Sequence, residues 1–174
     1  VGDGKTLNTL AIQQAIDHAY QKGGGQVIIP NGNFVTGSIV LKSGVGLFLH
    51  KKAMLTGSIK ASDYIRLNRW KALIMAENAH HISITGNGTI DGRGAELGLY
   101  IDSLFYAGEI DSINYHFTEK RAWAELRPQI IEFNRCSQII VRGVTIKNSS
   151  CWVQTYEKCS NLVIENIHVD SDAY

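Results

Sequence analysis

The chain has 174 residues, 44% of them apolar, with 17 basic and 16 acidic side chains and a formal net charge of +1. That length is one domain or part of one, and the apolar share is enough for a core. The balanced charge excludes a nucleic-acid surface, which needs clustered Lys and Arg, and no apolar run reaches the roughly 18–20 residues of a membrane span.

The chain opens on Val1-Gly2-Asp3-Gly4, not on a charged start followed by an apolar stretch, so the start reads as processed, trimmed or incomplete. Gly4-Lys5-Thr6 is a false lead toward a phosphate-binding loop, whose earlier Gly and preceding strand the chain starts too late to show. A helix is predicted over 8–22, with Leu7, Leu10, Ala11, Ala15, Ile16 and Ala19 on one face. Asn8 or Thr9 can cap its start, and Gly23-Gly24-Gly25 ends it. After Gly25 the pattern predicts short strands alone, at 26–29, 34–36, 39–41, 47–49, 54–56 and 73–75, separated by Gly, Asn, Ser or Lys turns. The 17 glycines and 2 prolines suit that arrangement. The stretch 92–127 is rich in aromatic and charged residues and reads as a long insertion, either a wall of a binding cleft or a packing excursion.

An internal repeat decides the architecture. The segment 136–149 is followed by a second copy at 159–171, shifted by 23 residues, in which Ile139 matches Leu162, Val141 matches Ile164, Val144 matches Ile167 and Ile146 matches Val169. A more distant copy at 79–91 has one extra residue at its turn. A coil of that size holds three short strands and cannot bury its apolar face alone. Stacking coils at roughly 4.8 Å pairs the backbone groups and piles like residues into columns, Cys136 over Cys159 among them. The fold expected is all-β, a right-handed single-stranded parallel β-helix, with the N-terminal helix capping its open end. The cap is placed at 1–25, the first coils at 26–91, the insertion at 92–127 and further coils at 128–174. Three cysteines (Cys136, Cys151, Cys159) argue against a disulfide scaffold and read as small buried hydrophobes. With no Cys-x-x-Cys and no metal-ligand spacing among the six His, neither zinc nor any other cofactor is expected.

Four motifs carry a family resemblance. They are Gly2-Asp3-Gly4-Lys5-Thr6 with Ala11-Ile12 and Gly23-Gly24-Gly25-x-Val27, then Ile84-Thr85-Gly86-Asn87-Gly88-Thr89-Ile90-Asp91-Gly92, then Arg127-Pro128, and Asn148-Ser149-x-x-Trp152. Together they resemble the polygalacturonase-type glycoside hydrolases (family 28), β-helix enzymes that act on pectin. The resemblance implies a pectin-lyase-like β-helix and hydrolysis of α-linked galacturonan or rhamnogalacturonan by acid/base-assisted water attack with inversion, which takes two carboxyl groups. In that family the acids lie in Asn-(Thr/Asn)-Asp-Gly and Asp-Asp motifs, completed by Gly-His-Gly and Arg-x-Lys. None of these four motifs is recognised in the 174 residues. The first is expected one coil after Cys159, so this segment is expected to be the N-terminal part of the domain, without catalytic acids and inactive alone. Asp170 and Asp172 match no catalytic motif and read as a solvated turn.

Four residues are the candidates for substrate contact. Gln154 is the best placed to face the sugar, with Tyr156 on the same strand. Trp152 either stacks on a sugar ring or sits in the core. Arg127 either grips a uronate carboxylate with two hydrogen bonds or makes a structural bridge. Tyr106, Tyr115, His116 and Arg121 of the insertion could form a wall of the same groove. The expected partner is a pectic polysaccharide or oligosaccharide, with no nucleic acid and no membrane, bound by a monomer that is secreted or periplasmic. Two alternatives remain: a β-helix polysaccharide lyase, disfavoured by the lack of an acidic cluster for Ca²⁺, and a non-enzymatic carbohydrate-binding β-helix.

Overall fold

Short alternating strands alone cannot bury their apolar sides, and the chain solves this by winding. The computed structural model describes residues 1–172. Strand β1 (Asp3–Leu7) and helix α1 (Thr9–Gln21) precede the coils. The first coil is β2 (Gly25–Ile29), β3 (Gly32–Thr36) and β4 (Ile39–Val40), and the second is β5 (Val45–Leu49), β6 (Ala53–Gly57) and β7 (Ala72–Glu77). The third runs β8 (His80–Gly86), β9 (Thr89–Asp91), then helix α2 (Gly94–Tyr106) and the hairpin β10 (Tyr115–His116) and β11 (Arg121–Ala122), and closes with β12 (Gln129–Asn134). The fourth is β13 (Ser137–Arg142), β14 (Thr145–Lys147) and β15 (Gln154–Glu157), and β16 (Ser160–Glu165) and β17 (His168–Asp170) begin a fifth.

Three parallel sheets result: β2-β5-β8-β13-β16, β1-β3-β6-β9-β14-β17 and β4-β7-β12-β15. The architecture is the expected right-handed parallel β-helix. Ile139 lies opposite Leu162, Val141 opposite Ile164, and Ile146 opposite Val169. The Ser160 N–H donates to the Cys136 carbonyl at 3.0 Å, so the two copies are adjacent rungs. The third copy stacks as Ile82 on Ile139 and Ile90 on Ile146, and its one extra residue is absorbed in the turn between β8 and β9.

Columns such as Leu47-Ile84-Val141 and Leu55-Ile90-Ile146 are fully buried. Each such side chain contributes about 1.5–3 kcal/mol relative to exposure. One turn repeats its backbone as well as its packing: Gly44, His81, Gln138 and Asn161 stack in register, with φ of 76°, 53°, 53° and 52°. Left-handed backbone is strained for residues with a Cβ, so the sheet on either side of the turn must hold it in place.

Helix α1 covers the first rung through only part of the expected face, Ile16 and the half-buried Ala19, with Ile12 added. Ile12 and Ile16 are buried, while Leu10 is 71% exposed and Ala11 and Ala15 point to solvent. Asn8 occupies the N-cap position without a side-chain cap bond. Its amide instead donates to the Thr6 and Val35 carbonyls, fastening the helix start to β3. The C-terminus closes as a Schellman turn, Gly24 N–H to Ala19 carbonyl and Gly23 N–H to Tyr20 carbonyl.

Two further elements go beyond the sequence reading, and the second corrects the expectation of short strands alone after Gly25. Residues 3–7 form a strand paired with β3, and residues 94–106 form helix α2. Leu97 and Ile101 of α2 are buried, and Phe105 stacks on Tyr115 at 3.9 Å between ring centroids. A smaller excursion, 58–71, separates β6 from β7. It meets the large insertion where an Arg66 Nη2 donates to the Glu125 carbonyl at 3.3 Å. No helix among the described residues is long and apolar enough to cross a membrane.

Candidate functional site

Chemistry-bearing side chains converge where the insertion meets the regular coils. Between the hairpin β10–β11 and the turn 149–152 lies a cleft of about 340 Å³. His116, Glu119, Arg121 and Trp123 line it from the insertion, and Arg127, Ser149–Cys151 and Trp152 from the coils. Parallel sheet pairing fixes the coil side. The antiparallel hairpin, pairing Tyr115 with Ala122 and His116 with Arg121, projects the other.

Arg121 donates through Nε to Glu119 Oε2 at 2.6 Å, and its Nη2 reaches the same carboxylate. That guanidinium holds the Glu119 carboxyl below its ordinary range. His116 Nε2 lies 3.8 Å from Glu119 Oε1, and its ring meets Trp123 edge-on at 4.8 Å. Two indoles stand at the edges of the cleft, Trp123 at 44% and Trp152 at 52% exposure. An indole left this open offers its apolar face to a planar or sugar-like ring.

Arg127 is buried, and two of its donors meet backbone carbonyls. Nε donates to the Ala122 carbonyl at 3.0 Å and Nη1 to the Ser150 carbonyl. It therefore staples the insertion to the coil that follows, and it shapes the cleft by holding both walls. Gln154 and Tyr156 lie elsewhere. Gln154 pairs with Ile131 and Tyr156 with Phe133, two fully buried residues, so both occupy the core-facing side of β15. The Tyr156 hydroxyl donates to Gln154 Oε1 at 2.7 Å, and the Tyr156 ring meets Phe133 edge-on at 5.7 Å. Burial raises the Tyr156 phenol above its ordinary range. Of the insertion aromatics, Tyr115 is buried beneath Phe105 and Tyr106 is exposed outside the cleft. Of the sequence candidates the cleft thus gathers Trp152, Arg127, His116 and Arg121.

Sequence reasoning missed several members. Glu119 and Trp123 gave no motif. Trp70 packs on Trp152 at 4.8 Å, with the Arg69 guanidinium 4.7 Å from the Trp70 ring on top. An Arg-x-Lys spacing does exist, at Arg69-Trp70-Lys71, where it enters β7. Cys136 is buried with its thiol pushed up by burial, and burial does the same to Cys151; neither is primed as a nucleophile. Asp170 and Asp172 are both exposed. Among the described residues no group of three or more His, Cys, Asp or Glu side chains could hold a metal ion.

Comparison with known proteins agrees with the coil geometry. A protein named "Probable polygalacturonase" from Vitis vinifera is 32% identical over 97% of this chain, which spans 35% of that protein. An exo-poly-alpha-D-galacturonosidase of Dickeya chrysanthemi is 38% identical over 53% of the chain, which spans 18% of it. The structure of the Yersinia enterocolitica family 28 exopolygalacturonase superposes with a TM-score of 0.82 at 25% identity, covering 98% of this chain and 37% of that one. The chain thus covers about a third or less of these relatives. The model of glycosyl hydrolases family 28 matches residues 21–174, from the end of the cap helix through the last coil, and the chain belongs to that family.

Proposed function

We propose that this chain supplies the first coils and one groove wall of a hydrolase that cleaves α-linked galacturonan or rhamnogalacturonan by acid/base-assisted attack of water with inversion. The observation that carries this reading is the cleft itself: on a family 28 coil stack, Arg121 and the open faces of Trp123 and Trp152 converge on a space large enough for a sugar. Indoles suit the apolar face of a pyranose, and a guanidinium suits a uronate carboxylate. The segment binds the polymer without cleaving it, because none of its carboxylates sits in a catalytic motif of the family. The polymer lies outside cells, which favours a secreted or periplasmic monomer. The exo-acting relatives and the position of the hairpin against the coils favour attack at a chain end.

Titration calorimetry of the 174-residue chain tests this. Tetragalacturonate is expected to bind, more weakly as salt is raised, and maltotetraose at least tenfold more weakly. No reducing ends are expected to be released from polygalacturonate. Equal affinity for the neutral oligosaccharide refutes the acidic-sugar subsite. Turnover by the chain itself refutes the placement of the acids outside it, and an unsaturated, ultraviolet-absorbing product would indicate a lyase.

A further inference from the structure

Glu132 is a carboxyl where none is needed for packing. It lies on β12 and is only 3% exposed. Burial pushes its carboxyl above the ordinary value, opposed by backbone hydrogen bonds from Trp70 and Arg69, with Glu157 and Glu77 adding to the rise. A buried carboxylate is costly unless its hydrogen bonds serve something, and an apolar side chain of the same size would fill the space without that penalty. The bond it makes is specific: the Trp70 N–H donates to Glu132 Oε1 at 3.0 Å, joining residues 62 apart in sequence. Trp70 is itself nearly buried, with Arg69 against one part of its ring and Trp152 against another, tilted by 59°. Trp152 is the member of this pile that borders the cleft. Other bonds fasten the excursion 58–71 as well: the Ser38 N–H to the Asp63 carbonyl, the Ile65 N–H to Ser38 Oγ, the Arg66 bond to Glu125, and the Gln129 N–H to the Lys71 carbonyl at 2.9 Å. The Glu132 bond is the one that a side chain of β12 makes to Trp70 itself.

We infer that Glu132 is a positioning residue for the sugar-stacking face of Trp152, acting through the backbone of Trp70 and the Trp70–Trp152 indole contact. The inference rests on the reading of the cleft as a sugar subsite. It assigns the small excursion 58–71 a role in that subsite, although none of its residues touches the cleft. Glu132 holds Trp70 at one height above β12, Trp70 fixes the tilt of Trp152, and that tilt sets the angle offered to a pyranose ring.

Far-ultraviolet circular dichroism and calorimetry with tetragalacturonate on the 174-residue chain separate the two layers. In the absence of sugar, the paired indoles give an exciton couplet. Glu132→Leu is expected to abolish it while Glu132→Gln, which keeps the acceptor oxygen, retains it. With sugar, Glu132→Leu and Trp152→Ala are each expected to lower affinity about tenfold, a loss typical of one aromatic contact. The double variant is expected to be no weaker than Trp152→Ala alone. Should Glu132→Leu fail to fold, Trp70→Leu keeps the backbone bond, removes the indole, and is expected to give the same loss of couplet and affinity. A couplet that survives Glu132→Leu, or survives while affinity falls, overturns the positioning role. Unchanged affinity in Trp152→Ala overturns the sugar-stacking reading beneath it.

Discussion

The coil pair 136–149 and 159–171 and the insertion 92–127 obey different rules. In the coils, every rung repeats one requirement: an apolar residue inward, a backbone group paired above and below. Ile139 on Leu162 and Val141 on Ile164 are copies of a single solution. The insertion solves its burial once, with α2 laid down through Leu97 and Ile101 and an aromatic nest of Phe105, Tyr115 and Phe117. The repeated region supplies stiffness. The unrepeated one supplies the cleft wall, and Arg127 couples them. Stability therefore belongs to the coils and recognition to the seam.

That contrast can be broken from either side. Phe133→Ala, in the fully buried column under Tyr156, is expected to cost about 3–5 kcal/mol and to lower the whole cooperative transition in urea. Arg127→Lys comes next. A lysine cannot reach both the Ala122 and Ser150 carbonyls, so about 1–3 kcal/mol is lost, with oligogalacturonate affinity falling alongside. Phe105→Ala sharpens the comparison instead. It removes the stack on Tyr115, about 0.5–1.5 kcal/mol beyond the area effect. Hydrogen exchange is expected to accelerate across 94–127 while the amides of β8 and β13 keep their protection.

The smallest effect is in pH. Glu132 has a folded-state value above its unfolded one, so the folded chain binds the proton more tightly. Stability is then greatest at and below the unfolded value and declines as pH rises through the folded one. Glu132→Gln is expected to remove that decline, seen as a melting temperature that converges with wild type in acid and exceeds it near neutrality.

Legibility in the sequence followed the same division. The 23-residue offset was visible because Cys136-Ser137 and Cys159-Ser160 recur with matched apolar positions, and the coils, columns and family came with it. Helix α2 was masked. Its Leu97, Ile101 and Phe105 keep helical spacing, but Gly94 and Gly98 weaken the signal. Gln154 and Tyr156 fall on the core-facing side of β15 rather than toward the sugar, because strand alternation carries them there with Ile131 and Phe133. Trp152, however, lies in the turn before β15, where that phase does not hold. The Arg127 partners are carbonyls, which carry no side-chain signal, and the contact of Trp70 with Trp152 spans most of two coils.

The central claim is that the seam between hairpin and coil holds the sugar. Hydrogen exchange of the 174-residue chain with and without saturating tetragalacturonate reads this directly. Slowed exchange centred on residues 116–127 and 149–152, with the outer side of β8 and β13 unchanged, is the predicted result. Slowing on β8 and β13 with the seam unaffected contradicts it.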